Sequence, residues 1–172
     1  MFYAGIGSRE TPQSILLDMH HIAQQLGTMN WVLRSGAADG ADTAFEQGCD
    51  LVRGPKEIYI PWSGFQGLKP NRENTIMVGA NEYTEEIAAR FHPNWSACSR
   101  GAKALHARNV CQVLGLNRET PADCIICWTR NASGAGGTGQ ALRIAKHYNI
   151  PIFDLGSDAA YDKLELFVKS RS

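Results

Sequence analysis

Residues 2–6 form a short apolar run that ends in Gly7-Ser8-Arg9, and beyond Pro12 the positions Ile15, Leu16, Met19, Ile22, Ala23 and Leu26 recur at helical spacing. The pattern predicts a strand, a glycine turn and a helix that Gly27 closes. A second strand at 31–33 leads through Ser35-Gly36-Ala37-Ala38-Asp39-Gly40 into a helix with Ala41, Ala44, Phe45, Gly48 and Cys49 along one side, so the same unit repeats. A third strand is predicted over 57–60, stopped by Pro61 and followed by a Gly/Pro/Asn-rich loop to about residue 74. Helical patterns follow over 82–90 and 97–115, broken between them by His92-Pro93-Asn94-Trp95. The nearly continuous apolar run 122–128 suits a strand buried on both faces. A glycine-rich turn over 130–139, a helix over 140–148, a strand over 150–155 and a helix over 158–169 complete the chain. Strands alternating with helices predict an α/β fold: a mainly parallel sheet of about five strands, covered on both faces.

Size and composition narrow the picture. With 172 residues, 44% of them hydrophobic, the chain is read as one globular domain over residues 1–172 with a substantial core. No apolar stretch approaches the roughly 18 residues of a membrane span, and the first residues lack a signal-peptide pattern. The expectation is therefore a cytoplasmic protein without a membrane partner. The cysteines Cys49, Cys98, Cys111, Cys124 and Cys127 are odd in number and sit in apolar surroundings, which suits reduced thiols. Net charge is zero, yet residues 90–118 carry Arg90, Arg100, Lys103, Arg108 and Arg118 with no acidic residue, leaving 12 basic side chains against all 17 acidic ones elsewhere. That locally basic segment suits either phosphate contacts or a solvated helix face.

In a parallel α/β sheet, ligands collect beyond the carboxyl ends of the strands. Three of those ends are built from Gly, Ser and Thr: Gly7 and Ser8 with Arg9; Ser35, Gly36 and Ala37 with Asp39; and Trp128 and Thr129 with Gly134, Gly136, Gly137 and Thr138. Such turns bring backbone N–H groups close to a ligand, and the helix N-termini behind them add partial positive charge. Together they predict an anion cradle, most simply for phosphate. Each piece also has a plainer reading. Glu10 stands where a dinucleotide fingerprint has its third glycine, Arg9 suits a surface ion pair with Glu10, and Asp39 suits the start of a helix.

No metal ligand set is predicted. Cys124 and Cys127 stand three apart in a strand, so they point to opposite faces, and His20-His21 lacks an H-E-x-x-H pattern. Trp31 and Trp128 fall in strand segments and are expected to be partly core, whereas Trp62 and Trp95 beside prolines suit either base stacking or packing under a loop.

Gly5-Ile6-Gly7-Ser8-Arg9 with Thr11-Pro12, followed by Arg34-Ser35-Gly36-Ala37-Ala38-Asp39-Gly40-Ala41-Asp42, resembles the Rossmann-like core of the DprA (Smf) DNA-processing proteins. DprA belongs to the SLOG superfamily, which also holds the LOG-type phosphoribohydrolases. His106-Ala107-Arg108-Asn109 is similar to the Arg-Asn helix of DprA, and Ser133-Gly134-Ala135-Gly136-Gly137-Thr138 to its second glycine-rich turn. The resemblance spans about residues 3–156. It implies a Rossmann-like three-layer sandwich with a nucleotide-binding crevice that Arg108 and Asn109 approach, often in a protein that self-associates as a dimer or larger homo-oligomer.

Three functions follow as expectations. The first is nucleotide (nucleoside phosphate) binding, with the nucleotide as ligand and no other cofactor; the second is single-stranded DNA binding; the third is N-glycosidic hydrolysis. LOG-type enzymes carry a catalytic glutamate after a similar glycine turn, but Gln140, Leu142 and Arg143 follow here, so Asp39 or Glu46 would have to supply the carboxylate. Binding without chemistry is the first expectation.

Overall fold

The computed structural model describes residues 1–171. Six strands, β1 (Phe2–Gly5), β2 (Val32–Ser35), β3 (Lys56–Ile60), β4 (Ile76–Val78), β5 (Cys124–Cys127) and β6 (Ile152–Asp154), form one sheet in the order β4-β3-β2-β1-β5-β6. Every neighbouring pair is parallel, with Tyr3 beside Leu33 on one side and Cys124 on the other. The helices are α1 (Gln13–Thr28), α2 (Ala41–Leu51), α3 (Glu82–Arg90), α4 (Arg100–Leu114), α5 (Gly139–His147) and α6 (Ala159–Lys169).

Strand alternation divides the core into two layers. Tyr3, Leu33, Cys124 and Ile126 face α1, α2 and α6, meeting Met19, Ala23, Phe45, Cys49 and Leu164. Ala4, Ile125 and Cys127 face the other way, toward Ala88 of α3, Val110 and Leu114 of α4, and Ile144 of α5. The sandwich is therefore the three-layer, Rossmann-like one expected. Cys124 and Cys127 lie on opposite faces, and all five cysteines are free thiols. Trp31 and Trp128 are both buried in the first layer.

Two local details differ from the sequence reading. The sheet has a sixth strand, β4, in the stretch between the loop to about residue 74 and the helical pattern from 82, which the sequence leaves unassigned; its three residues are too few for periodicity and are held by pairing with β3. Helix α1 runs through Gly27 to Thr28, and that glycine serves packing rather than closing the helix: a Cβ there would sit 2.8 Å from Val52 Cγ2.

Helices α1 and α2 pack backbone to backbone at Gly48, where an added Cβ would lie 2.1 Å from the His20 carbonyl oxygen. Gly48→Ala should therefore destabilise the protein by about 1–3 kcal/mol through overpacking, although alanine favours a free helix by about 1 kcal/mol. Urea unfolding measures this, and an unchanged or raised midpoint would refute the close approach.

Candidate nucleotide crevice

Strand order reverses between β1 and β5: β1 leads through α1 to β2 on one side, while β5 and β6 extend the sheet on the other. In such sheets the crevice opens at this switch point, beyond the strand carboxyl ends. The turn after β1 is closed by Ser8, whose carbonyl accepts from the Thr11 N–H at 3.2 Å and hydroxyl at 2.6 Å, and whose Oγ accepts from the Glu10 N–H at 3.0 Å. Gly7 is required by packing, since a Cβ there would lie 2.7 Å from that of Ala41 at the start of α2. The N–H groups of Gly7, Ser8 and Arg9 are left with no acceptor among the described residues.

The turn after β5 is built differently. Asp154, at the end of β6, accepts from the Thr129 N–H at 2.9 Å and from its hydroxyl, while Thr129 Oγ1 accepts from the Gly134 N–H at 2.9 Å. This anchors the base of the loop; the Ala135 N–H donates to Ser133 Oγ at 3.3 Å, and those of Gly136, Gly137 and Thr138 again have no acceptor among the described residues. Helix α5 starts directly behind them at Gly139, so its amide dipoles point the same way. Gly136 has φ of 81°, a left-handed conformation that favours glycine.

Helix α4 supplies the third wall. Arg108 is 5% exposed and donates to the carbonyls of Gly36 and, at 3.1 Å, Tyr59; its Nε reaches Asn109 Oδ1 at 3.2 Å. The three walls enclose a cleft of about 710 Å³, within the range of small-molecule sites. Gly7, Ser8, Arg9, Asp39, Arg108, Asn109, Gly136, Gly137 and Thr138, all candidates from the sequence, line it. Arg9 is exposed and has no carboxylate within ion-pair distance among the described residues; Glu10 pairs instead with Arg130 at 3.4 Å.

The remaining candidates do not line the cleft. Ser35 is buried and donates to the Gly5 carbonyl at 2.7 Å, tying the ends of β1 and β2 together. Gly36 presents its carbonyl to Arg108, Ala37 packs with Ile58 and Ile60, Trp128 is core, and Thr129 and Gly134 brace the second turn. Glu46 pairs with Lys56 at 2.8 Å. Cleft-lining residues that the sequence did not single out include Ile6, Asp42, Phe65, Leu105, His106 and Gln112. Asp42 is the chemically notable one. Burial pushes its carboxyl up to about 6, against Arg108 and the N–H groups of Ala38 and Gly36, which pull it down. Burial and the neighbouring His92 hold the His106 imidazole below the usual histidine range.

The basic segment does not make one continuous cationic face. Arg108 is buried, Arg90 pairs with Glu86, Lys103 lies over Trp95 at 5.6 Å, and Arg118 lies over Tyr83 at 5.0 Å. Arg100 instead lines a second cleft of about 450 Å³ together with Trp62, which is 43% exposed. Trp95 packs half-buried against the layer under α4. Among the described residues, no helix is long and apolar enough to cross a membrane.

No family model matches this chain, and neither does any curated protein. Solved structures do share its fold. DNA processing protein A from Helicobacter pylori, described for its single-stranded DNA binding mode, is similar with a TM-score of 0.59 and 20% identity, over 96% of this chain and 72% of that one. The Moco carrier protein of Chlamydomonas reinhardtii is similar with a TM-score of 0.53 and 13% identity, over 98% of this chain and 84% of that one. These are likenesses of fold, and they agree with the Rossmann-like architecture of the sheet.

The Asp42 environment has a measurable consequence. Its native pKa, about 6, lies above the ordinary 3.8, so between these values the folded state binds more protons than the unfolded state. This contribution to stability is therefore lost as pH rises from about 4 to about 6. The carboxyl carbon of Asp42 should titrate near pH 6 by NMR. Relative to wild type, Asp42→Asn should gain up to about 3 kcal/mol between pH 4 and pH 7. A titration midpoint near 4 would mean that the carboxylate is not desolvated.

Proposed function

We propose that the protein binds a nucleotide or another nucleoside phosphate in this crevice, and does so as a DprA-like member of the SLOG group. The observation carrying the reading is that six N–H groups without acceptors among the described residues, three from each turn, belong to residues that line one cleft of about 710 Å³ at the switch point. Backbone N–H groups aimed into a cleft recognise negative charge, and helix α5 adds its dipole behind the second set. The phosphate takes the Gly7–Arg9 and Gly136–Thr138 amides, with Arg9 as its unpaired cation. Asp39 accepts from ribose hydroxyls, and Asn109 approaches from α4. Arg108 acts from behind, since its guanidinium is committed to backbone carbonyls. After this glycine turn, where LOG-type enzymes carry a glutamate, this chain has Gln140, Leu142 and Arg143, and the buried Gln140 is bonded to Asn109 and to the Ala88 carbonyl; the missing carboxylate favours binding over hydrolysis.

A second reading, single-stranded DNA binding, draws support from the exposed Trp62 beside Arg100: a stacking surface and a phosphate contact in one cleft. The fold likeness to a DNA processing protein supports it as well.

Calorimetric titration separates the readings. Nucleoside monophosphates should bind and the matching nucleosides should bind far more weakly; Arg9→Ala should weaken the nucleotide by more than tenfold with its melting temperature unchanged. Unchanged affinity in Arg9→Ala would remove that side chain from the site. A labelled oligonucleotide titrated at two salt concentrations tests the second reading, for which affinity should fall steeply with salt and in Trp62→Ala. Absence of oligonucleotide binding at low salt would end it.

A further inference from the structure

Three side chains outside the phosphate cradle come together without a role in it. His92 follows the end of α3, where Pro93 stops the helix; Cys98 follows a single 3-10 turn over Trp95–Ala97; His106 lies on the second turn of α4. One donor atom from each falls within 4.8 Å of the others. His92 Nε2 stands 3.6 Å from Cys98 Sγ, and the His92 and His106 ring centroids are 4.5 Å apart.

We propose that His92, Cys98 and His106 form a site for a divalent metal ion of the zinc class. Four-coordinate zinc takes thiolate at about 2.3 Å and imidazole nitrogen at about 2.0–2.1 Å, which at tetrahedral angles sets sulfur and nitrogen about 3.5–3.6 Å apart. The His92–Cys98 separation matches that spacing. The second, independent observation is His106 Nδ1, which is buried and has no hydrogen-bond partner. A buried polar atom left unpaired is costly, and a metal bond to it removes that cost. Around the ring, Gln140 interacts with His106 and is itself held by Asn109 and the Ala88 carbonyl, the kind of outer support that orients ligating histidines. Two imidazoles and a thiolate suit zinc or cobalt rather than magnesium or calcium, which prefer oxygen.

Opposing forces act here too. The guanidinium groups of Arg108 and Arg143 disfavour further positive charge on His106. Ionisation of Cys98 on metal binding offsets part of that, and the proton goes to solvent. His92 Nδ1 accepts the Asn94 N–H at 3.1 Å, so ligation through Nε2 puts the ring proton on Nδ1 and gives up that hydrogen bond. Three protein ligands leave a fourth position for water or a ligand atom. Since His106 also lines the crevice, the ion sits at its edge.

The spacing, His-x5-Cys-x7-His, is not a recognisable metal motif, which is why the sequence predicted no ligand set. Folding around Pro93 brings the three together.

Cobalt(II) is the probe, added to the chelator-treated 172-residue protein without any nucleotide, so the outcome is independent of the proposed function. One equivalent should produce a near-ultraviolet thiolate-to-cobalt charge-transfer band with visible bands of tetrahedral intensity, both displaced by zinc. Cys98→Ser should abolish the charge-transfer band, and His92→Ala should weaken cobalt binding at least tenfold, with far-ultraviolet circular dichroism reporting that each variant is folded. Absence of the band in folded wild type would overturn the proposal. So would its persistence at full strength in Cys98→Ser, which would assign the thiolate to one of the buried Cys49, Cys111, Cys124 or Cys127.

Discussion

A guanidinium buried at the rim of the sheet decides the shape of the crevice. Arg108 reaches from α4 to the carbonyls of Gly36 and Tyr59, and so fixes that helix across the ends of β2 and β3. Desolvating such a charge is costly, and the cost is met by two carbonyls and the nearby Asp42 carboxylate rather than by water. Burial pulls the guanidinium below its ordinary range and pushes Asp42 up; each group moderates the other's shift. Gly36 follows from the same contact, since a Cβ there would lie 2.1 Å from Arg108 Nη1. With Arg108 seated, Ala102, Leu105, His106 and Asn109 form one wall of the cleft.

What was legible in the sequence was what local chemistry determines. Both glycine turns could be read because their residues do their work where they stand: Ser8 closes its own turn and Gly136 takes its own left-handed conformation. The α/β alternation was equally local. The contribution of α4 was not, because nothing in residues 100–114 specifies that the helix crosses the rim; for Arg108 and Asn109 only the resemblance to DprA pointed there. Asp42 could be read as part of a helix start, but its burial and raised pKa come from packing against α4.

Ser35 and Thr129 expose a limit of reasoning from strand ends. Polar residues at these positions were expected to meet ligand, yet both hydroxyls are spent on the protein, Ser35 on the Gly5 carbonyl and Thr129 on Asp154. Where strands stop, backbone and carboxylate groups need partners before any ligand arrives. These hydroxyls supply them; after β5 the amides of Gly136, Gly137 and Thr138 further along are left without acceptors, whereas after β2 the Ala38 amide is taken up by Asp42.

That division of labour bears on what the crevice selects. Amides held by turn geometry recognise a negatively charged group at one fixed place, whereas a polymer backbone is followed by a row of cations along a groove. Here four of the five cations of residues 90–118 are dispersed onto Glu86, Trp95, Tyr83 and backbone carbonyls, Arg100 stands in the separate cleft beside Trp62, and Arg9 joins the amides as an unpaired charge. Exposed Asp39 and Glu10 share the lining and oppose a second phosphate beside the first. Under the proposed reading, a single phosphate attached to a hydroxyl-bearing group would meet both demands at once, its charge going to the amides and its hydroxyls to Asp39.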